Sequence, residues 1–232
     1  YEDTGTTAKF FWDASAESLG IGTSSPSSFN GGANNLVVGS GSGSEGITIY
    51  ADSSSNSAVF FADGTSGAAT YTGQINYQHA SDDMTFHTNG GTERMRIDGG
   101  SDGAVMFGTT NTSPVSSNVV GISARGVYGE LQVSTEGSTG APLYLNRKTL
   151  DGDIAVFRKD GSTVGSIGTL SGFTYLGSGD TGMLFVSSDE TIRPHNTTTN
   201  AARDNAVSLG EATVRFKDAH FSGTVNAANF NT

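Results

Sequence analysis

Val59-Phe60-Phe61-Ala62-Asp63-Gly64 is an apolar burst closed by two turn residues, and it returns downstream as Val156-Phe157-Arg158-Lys159-Asp160-Gly161. Met84-Thr85-Phe86 returns in the same way as Met183-Leu184-Phe185, and Ile47-Thr48-Ile49 as Leu143-Tyr144-Leu145. The three pairs lie 97, 99 and 96 positions apart. A slow drift of this kind is what tandem copies show when their loops differ by a residue or two. Repetition at this spacing marks a chain stacked from small β modules rather than one enzyme core.

Working outward, the phrase Met95-Arg96-Ile97-Asp98, Val105-Met106-Phe107-Gly108-Thr109, Thr112-Ser113-Pro114 follows an earlier grammar. That earlier copy is Phe10-Phe11-Trp12-Asp13, Leu19-Gly20-Ile21-Gly22-Thr23, Ser24-Ser25-Pro26. The reading is a first β module over 1–94, a second over 95–195, and a linker with a terminal segment over 196–232. Short strands are expected at Leu36–Val38, Ile47–Tyr50, Val59–Ala62, Gln74–Gln78 and Met84–His87 in the first module. In the second they are expected at Leu131–Val133, Pro142–Leu145, Ile154–Arg158, Val164–Ile167, Phe173–Leu176 and Met183–Val186. Asp63-Gly64 and Asp160-Gly161 are hairpin-turn signals. Near the end, Val214, Phe216 and His220 alternate with Arg215, Lys217 and Ala219 and predict a half-buried strand.

Composition agrees with an all-β chain. Of 232 residues only 34% are hydrophobic and 33 are Gly, so turn formers abound and long helix-forming runs are missing. Ordering a backbone costs about 1–2 kcal/mol per residue, and apolar bursts of two to four residues offset that poorly in a single chain. Closing strands into a sandwich or barrel, or sharing one core among identical chains, are the two remedies, and the repeat favours sharing.

A net charge of −11 argues against nucleic acid and against simple attachment to anionic membranes. No apolar run reaches the ~20 residues of a membrane span, so no membrane insertion is expected. With Cys count 0, disulfides and thiolate chemistry are excluded.

No catalytic constellation stands out, and no enzyme activity, metal or cofactor is expected. A Gly-x-Ser-x-Gly elbow between strand and helix is missing. Asp82, Asp83 and Glu93 are scattered over turns rather than paired across a cleft. Gly39-Ser40-Gly41-Ser42-Gly43 lacks the Lys-Ser/Thr and the helix of a phosphate loop. His79 and His87 flank a turn at Ser81-Asp82-Asp83, close enough in sequence to meet across a hairpin, but a transition metal needs three or four converging ligands. Asp151-Gly152-Asp153 reads as a hairpin turn before Ile154 rather than a calcium loop.

Leu209-Gly210, Arg215-Phe216-Lys217-Asp218 and Phe221-Ser222-Gly223-Thr224-Val225 together resemble the segment that ends many bacteriophage tail fibres and tailspikes. In those families it precedes a self-cleaving intramolecular chaperone of the endosialidase type. Arg94-Met95-Arg96-Ile97-Asp98 and Gly20-Ile21-Gly22-Thr23-Ser24-Ser25-Pro26 are similar to recurrent phrases of such fibres. The resemblance implies an elongated, intertwined homotrimer on a phage virion. It implies attachment to other tail proteins through an N-terminal region not present here. The chaperone's catalytic Ser and Lys would then lie beyond Thr232, with Asn231-Thr232 near the mature end.

The function expected on that basis is adhesion to a bacterial surface polysaccharide or lipopolysaccharide. Aromatic faces stack on sugar rings while polar groups fix hydroxyls. Tyr144, Tyr175, Arg193 and His195 in the second module, and Arg203 in the linker, are the candidate receptor-binding residues. A polysaccharide-degrading tailspike fragment, a purely structural shaft and a bacterial surface adhesin are the alternative readings.

Overall fold

A computed structural model describes residues 9–137 and 140–224. Val225 and Asn231-Thr232, named above, lie outside the described residues. The chain is all-β, and its described residues form sixteen strands and two short 3-10 helices at Pro26–Ser28 and Gly67–Tyr71. It divides into two units, 1–142 and 143–232.

The first unit opens with β1 (Phe10–Asp13), β2 (Ser18–Ile21) and β3 (Leu36–Val38), with β2 antiparallel to β1 and parallel to β3. Asp13 ends β1 by taking the Ser15 backbone N–H at 3.1 Å and the Ser15 hydroxyl at 2.6 Å, which reverses the chain into β2. Its second oxygen accepts the Ser27 hydroxyl at 3.0 Å.

A seven-stranded sheet follows. Its strands are β4 (Asn56–Phe61), β5 (Gly73–Gln78), β6 (Asp83–Thr88), β7 (Thr92–Ile97), β8 (Ala104–Phe107), β9 (Gly121–Arg125) and β10 (Glu130–Ser134). Each is antiparallel to the next in sequence, an unbroken meander. The second unit holds a six-stranded antiparallel meander: β11 (Gly152–Lys159), β12 (Ser162–Leu170), β13 (Phe173–Ser178), β14 (Thr181–Val186), β15 (Thr191–Asn196) and β16 (Ala201–Ala202). Its core is Tyr175, Leu184 and Val186, with Leu170 and Phe173 packed against them.

Most expected strands are found, with instructive departures. Asp160-Gly161 forms a two-residue turn between Lys159 and Ser162, both central residues at positive φ (49° and 78°). That is the geometry whose twist matches a hairpin. Asp63-Gly64 forms no such turn: the chain detours through the Gly67–Tyr71 helix before Gly73 pairs with Phe61. Asp151-Gly152-Asp153 is also not a hairpin turn. Gly152 and Asp153 begin β11 opposite Thr169 and Gly168, and Asp151 accepts the Ser171 backbone N–H at 2.6 Å, anchoring the β12–β13 turn.

Ile47–Tyr50, Pro142–Leu145 and the segment around Val214, Phe216 and His220 belong to no sheet. A strand needs a laddered neighbour for its backbone groups. Around Ile49 the side-chain bond from the Ser57 hydroxyl to the Ile49 carbonyl, at 3.0 Å, stands in place of a ladder. The division drawn at 94/95 falls inside β7, where Glu93, Arg94, Met95 and Arg96 run on without a turn. The repeated Met-x-Phe phrase occupies the third strand of the first meander and the fourth of the second. The two sheets are therefore related in sequence phrase but differ in strand count.

Candidate functional site

In an antiparallel sheet successive side chains alternate between faces, so strand register decides what each face offers. On one face of the first meander Val59, Ile75, Phe86, Met95, Phe107, Ile122 and Val133 stand directly opposite one another, one from every strand. Two residues along, the same face carries Ser57, Tyr77, Met84, Ile97, Val105, Ala124 and Leu131. The other face carries Ala58, Asn76, Thr85, Arg96, Met106, Ser123 and Gln132.

The usual arrangement is apolar in and polar out. Here it is reversed. Asn76, Thr85, Met106 and Ser123 are buried, and the Ser123 hydroxyl donates to the Thr112 carbonyl at 2.9 Å from the connection that lies over them. Val59, Ile75, Phe107 and Ile122 of the apolar row keep 37–45% of their surface open.

The covered polar face is held by ion pairs. Arg96 reaches Asp83 at 2.5 Å and Glu93 at 2.8 Å, and Arg125 reaches Asp102 at 2.6 Å and Glu130 at 3.0 Å. Hydrogen bonding to Glu93 raises the Arg96 pKa and bonding to Asp102 raises that of Arg125. The charges of both guanidinium groups are thus paired, while the buried Arg125 Nε has no hydrogen-bond partner among the described residues.

The second unit repeats the theme. Ala155, Ile167, Leu176, Met183 and Pro194 form one row across β11 to β15, with Phe185 and Ile192 beside it on the same face. Leu176 and Met183 keep 46% and 43% of their surface exposed. With Val207 and Leu209 they bound a mainly apolar hollow of about 460 Å³.

The opposite face of this second sheet is built differently. Tyr175 and His195 are buried, with ring centroids 4.6 Å apart and planes tilted by 30°. The Tyr175 hydroxyl donates to Asp153 Oδ1 at 2.7 Å. Burial first, and then this bond to a carboxylate, push the Tyr175 pKa up to about 12. Glycines make room for the ring: a Cβ on Gly168 would run into Tyr175 and the Gly152 carbonyl. The β15–β16 turn folds back here. The Thr197 hydroxyl donates to the Gly179 carbonyl at 2.6 Å, and the Thr197 and Thr198 amides reach the same oxygen at 3.1 Å. Beneath this turn lies a polar hollow of about 340 Å³ lined by Asp153, Thr163, Gly165, Ser166, Gly179, Thr197 and Thr198.

The five residues singled out from sequence do not converge on one surface. Tyr175 and His195 come together, but at 1% and 0% exposure they are core residues in this chain and not surface contacts for a glycan. Arg193 pairs with Asp189 in the β14–β15 turn. Arg203 pairs with Asp180 at 2.7 Å, in the β13–β14 turn at the other end of the strands, and lowers the Asp180 pKa. Tyr144 is exposed outside the sheet. Of the residues that line the hollow, Asp153 enters the sequence reading only as part of a turn, and Thr197 and Thr198 only as part of the linker.

The His79 and His87 pairing is not found. Gln78 faces Asp83 at one end of the β5–β6 ladder and His87 faces Gln74 at the other. His79 Nε2 bonds the Ser57 hydroxyl at 3.0 Å, whereas His87 bonds the Thr85 hydroxyl at 2.9 Å and the Gly91 carbonyl at 3.0 Å. Among the described residues, no group of three or more His, Cys, Asp or Glu side chains is placed to hold a metal ion, and no helix is long and apolar enough to cross a membrane. In comparisons with protein-family models, with curated proteins and with solved structures, none matched the chain.

Proposed function

We propose that this chain is the distal, glycan-adhering part of a phage tail fibre or tailspike, working as an elongated, intertwined homotrimer. The observation that carries the reading is the open apolar row from Val59 to Val133, one residue from each of seven strands. An exposed apolar face of that extent is an interface waiting for a partner. Copies of the same chain supply it most simply, because three such faces turned to one axis make one core from three thin contributions. The row through Ile167, Leu176 and Met183 gives the second unit the same requirement. The phage assignment rests on the sequence phrases around Arg94–Asp98 and Leu209–Thr224, and adhesion follows from that assignment. Three weak sites on one assembly gain avidity without a deep pocket.

The test is the mass in solution by light scattering, paired with adhesion of labelled chain to bacterial cells and to their purified surface polysaccharide. A particle of three times 23.8 kDa that adheres supports the reading. A stable, soluble monomer overturns the shared core. A trimer that adheres to no host surface reduces the chain to a shaft.

A further inference from the structure

We propose that the hollow between β11, β12 and the β15–β16 turn binds one neutral sugar residue, with Asp153 and Thr163 as its main polar contacts. This rests on the adhesion reading for its biological use, but not for its chemistry. A volume of about 340 Å³ lies at the small end of the roughly 300–1,000 Å³ typical of ligand sites, which suits a single ring.

The polar groups are prepared for a ligand. Asp153 Oδ1 is held by Tyr175, which orients the carboxylate, while Oδ2 takes no hydrogen bond from any described residue. The hydroxyls of Thr163 and Thr198 are likewise without a partner among the described residues. A fixed carboxylate accepts strongly from a sugar hydroxyl, and each threonine hydroxyl can both donate and accept. The Thr197 side chain and the Thr197 and Thr198 amides are tied to Gly179, so the turn roofing the hollow is already in place. Pre-formed walls reduce the ordering cost of binding.

Two features narrow the ligand. Asp153 is the one ionisable side chain of the lining, so a sugar bearing its own carboxylate is repelled and a neutral one is not. Asp153 and Ser166 also lie on the sheet face opposite Ile167 and Leu176. Assembly through the apolar row therefore leaves the hollow open, and each copy in a trimer presents one.

The experiment uses the full chain with glucose, galactose, mannose, N-acetylglucosamine and glucuronic acid as probes, read by saturation-transfer NMR and calorimetry. At least one neutral sugar is expected to bind with a Kd of about 1 mM, and glucuronic acid more weakly. Asp153→Asn is expected to weaken that binding about tenfold, and the near-isosteric Thr163→Val several-fold, at unchanged particle mass. Should Asp153→Asn fail to fold, Thr163→Val carries the test alone. The proposal is overturned if no neutral sugar binds, if glucuronic acid binds best, or if the folded variants bind like the parent chain. Cell adhesion separates it from the broader reading. Adhesion that is unchanged in both variants, while their sugar binding falls, leaves the hollow as a sugar site and assigns adhesion to another surface. Sugar binding at the hollow without cell adhesion leaves the hollow and removes the adhesin.

Discussion

Ile167 on β12 faces Leu176 on β13 across the open side of the second sheet, and one step along Gly168 faces Tyr175 on the covered side. That pair of neighbouring rungs holds the molecule's two chemistries back to back.

On the homotrimer reading, replacing Leu176 by Glu, or Phe107 by Glu, is expected to yield single chains. Both side chains are half-exposed within one chain, so the fold of each copy should change little, as for other surface substitutions within about 0.5 kcal/mol. A buried carboxylate at a subunit contact would, by contrast, be prohibitive. Light scattering gives the mass and circular dichroism the fold. Variants that keep the parent's mass would show that the apolar rows are not the contact.

Tyr175→Phe removes the hydroxyl bonded to Asp153 and should cost about 1.5–3 kcal/mol, the usual worth of a hydrogen bond to a charged group. It should also change the alkaline limb. The Tyr175 pKa is raised in the fold to about 12 from an ordinary 10.0, so its stabilisation is complete below pH 10. It is then lost as pH climbs toward 12, where the unfolded chain has already given up the proton. Denaturant titrations between pH 8 and 12 should show that loss in the parent and less of it in Tyr175→Phe.

Asp83→Ala should be among the more damaging polar substitutions. Asp83 takes Arg96 at 2.5 Å and the Gly99 backbone N–H at 2.9 Å from an almost buried position. Its removal leaves a mostly covered guanidinium with Glu93 as its remaining ion-pair partner, and losing one partner of a buried pair costs about 3–5 kcal/mol. Thermal unfolding compared with Arg96→Met, which removes the charge itself, is the check: Arg96→Met should be the milder change.

Glycines provide an internal contrast. Gly168→Ala drives a methyl into Tyr175 and the Gly152 carbonyl and should cost upwards of about 2 kcal/mol by overpacking. Gly31→Ala meets nothing within 4 Å and should be neutral or slightly stabilising, since it reduces the freedom of the unfolded chain. Equal melting temperatures for the two would contradict the packing described around Tyr175.

How much of this is written locally in the chain can be judged from single dipeptides. Asp160-Gly161 is legible because both residues must take positive φ there, and the pair tolerates it. Asp63-Gly64 is the same dipeptide, yet the turn it suggests is displaced by the Gly67–Tyr71 helix, because the Phe61–Gly73 rung decides where β5 begins. The all-β class and most strand positions follow from short apolar bursts between turn formers. Faces do not, since a face depends on register, and register is set by neighbouring strands. That is why Tyr175 and His195 stand out in the sequence as aromatic and polar residues of the second module, while their pairing and burial do not. It is also why Asp153, in a stretch that looks like a turn, goes unnoticed as the wall of a hollow.

Every neighbour in the two large sheets is also the next strand in sequence. Such local topology folds early and fast, because little loop entropy must be overcome before each rung forms. A newly made copy would then form its local hairpins first, with its apolar row still uncovered. Were that row the contact between copies, yield would be a race between finding another copy and misassociating, decided by how quickly copies are brought together rather than by how stable each one is.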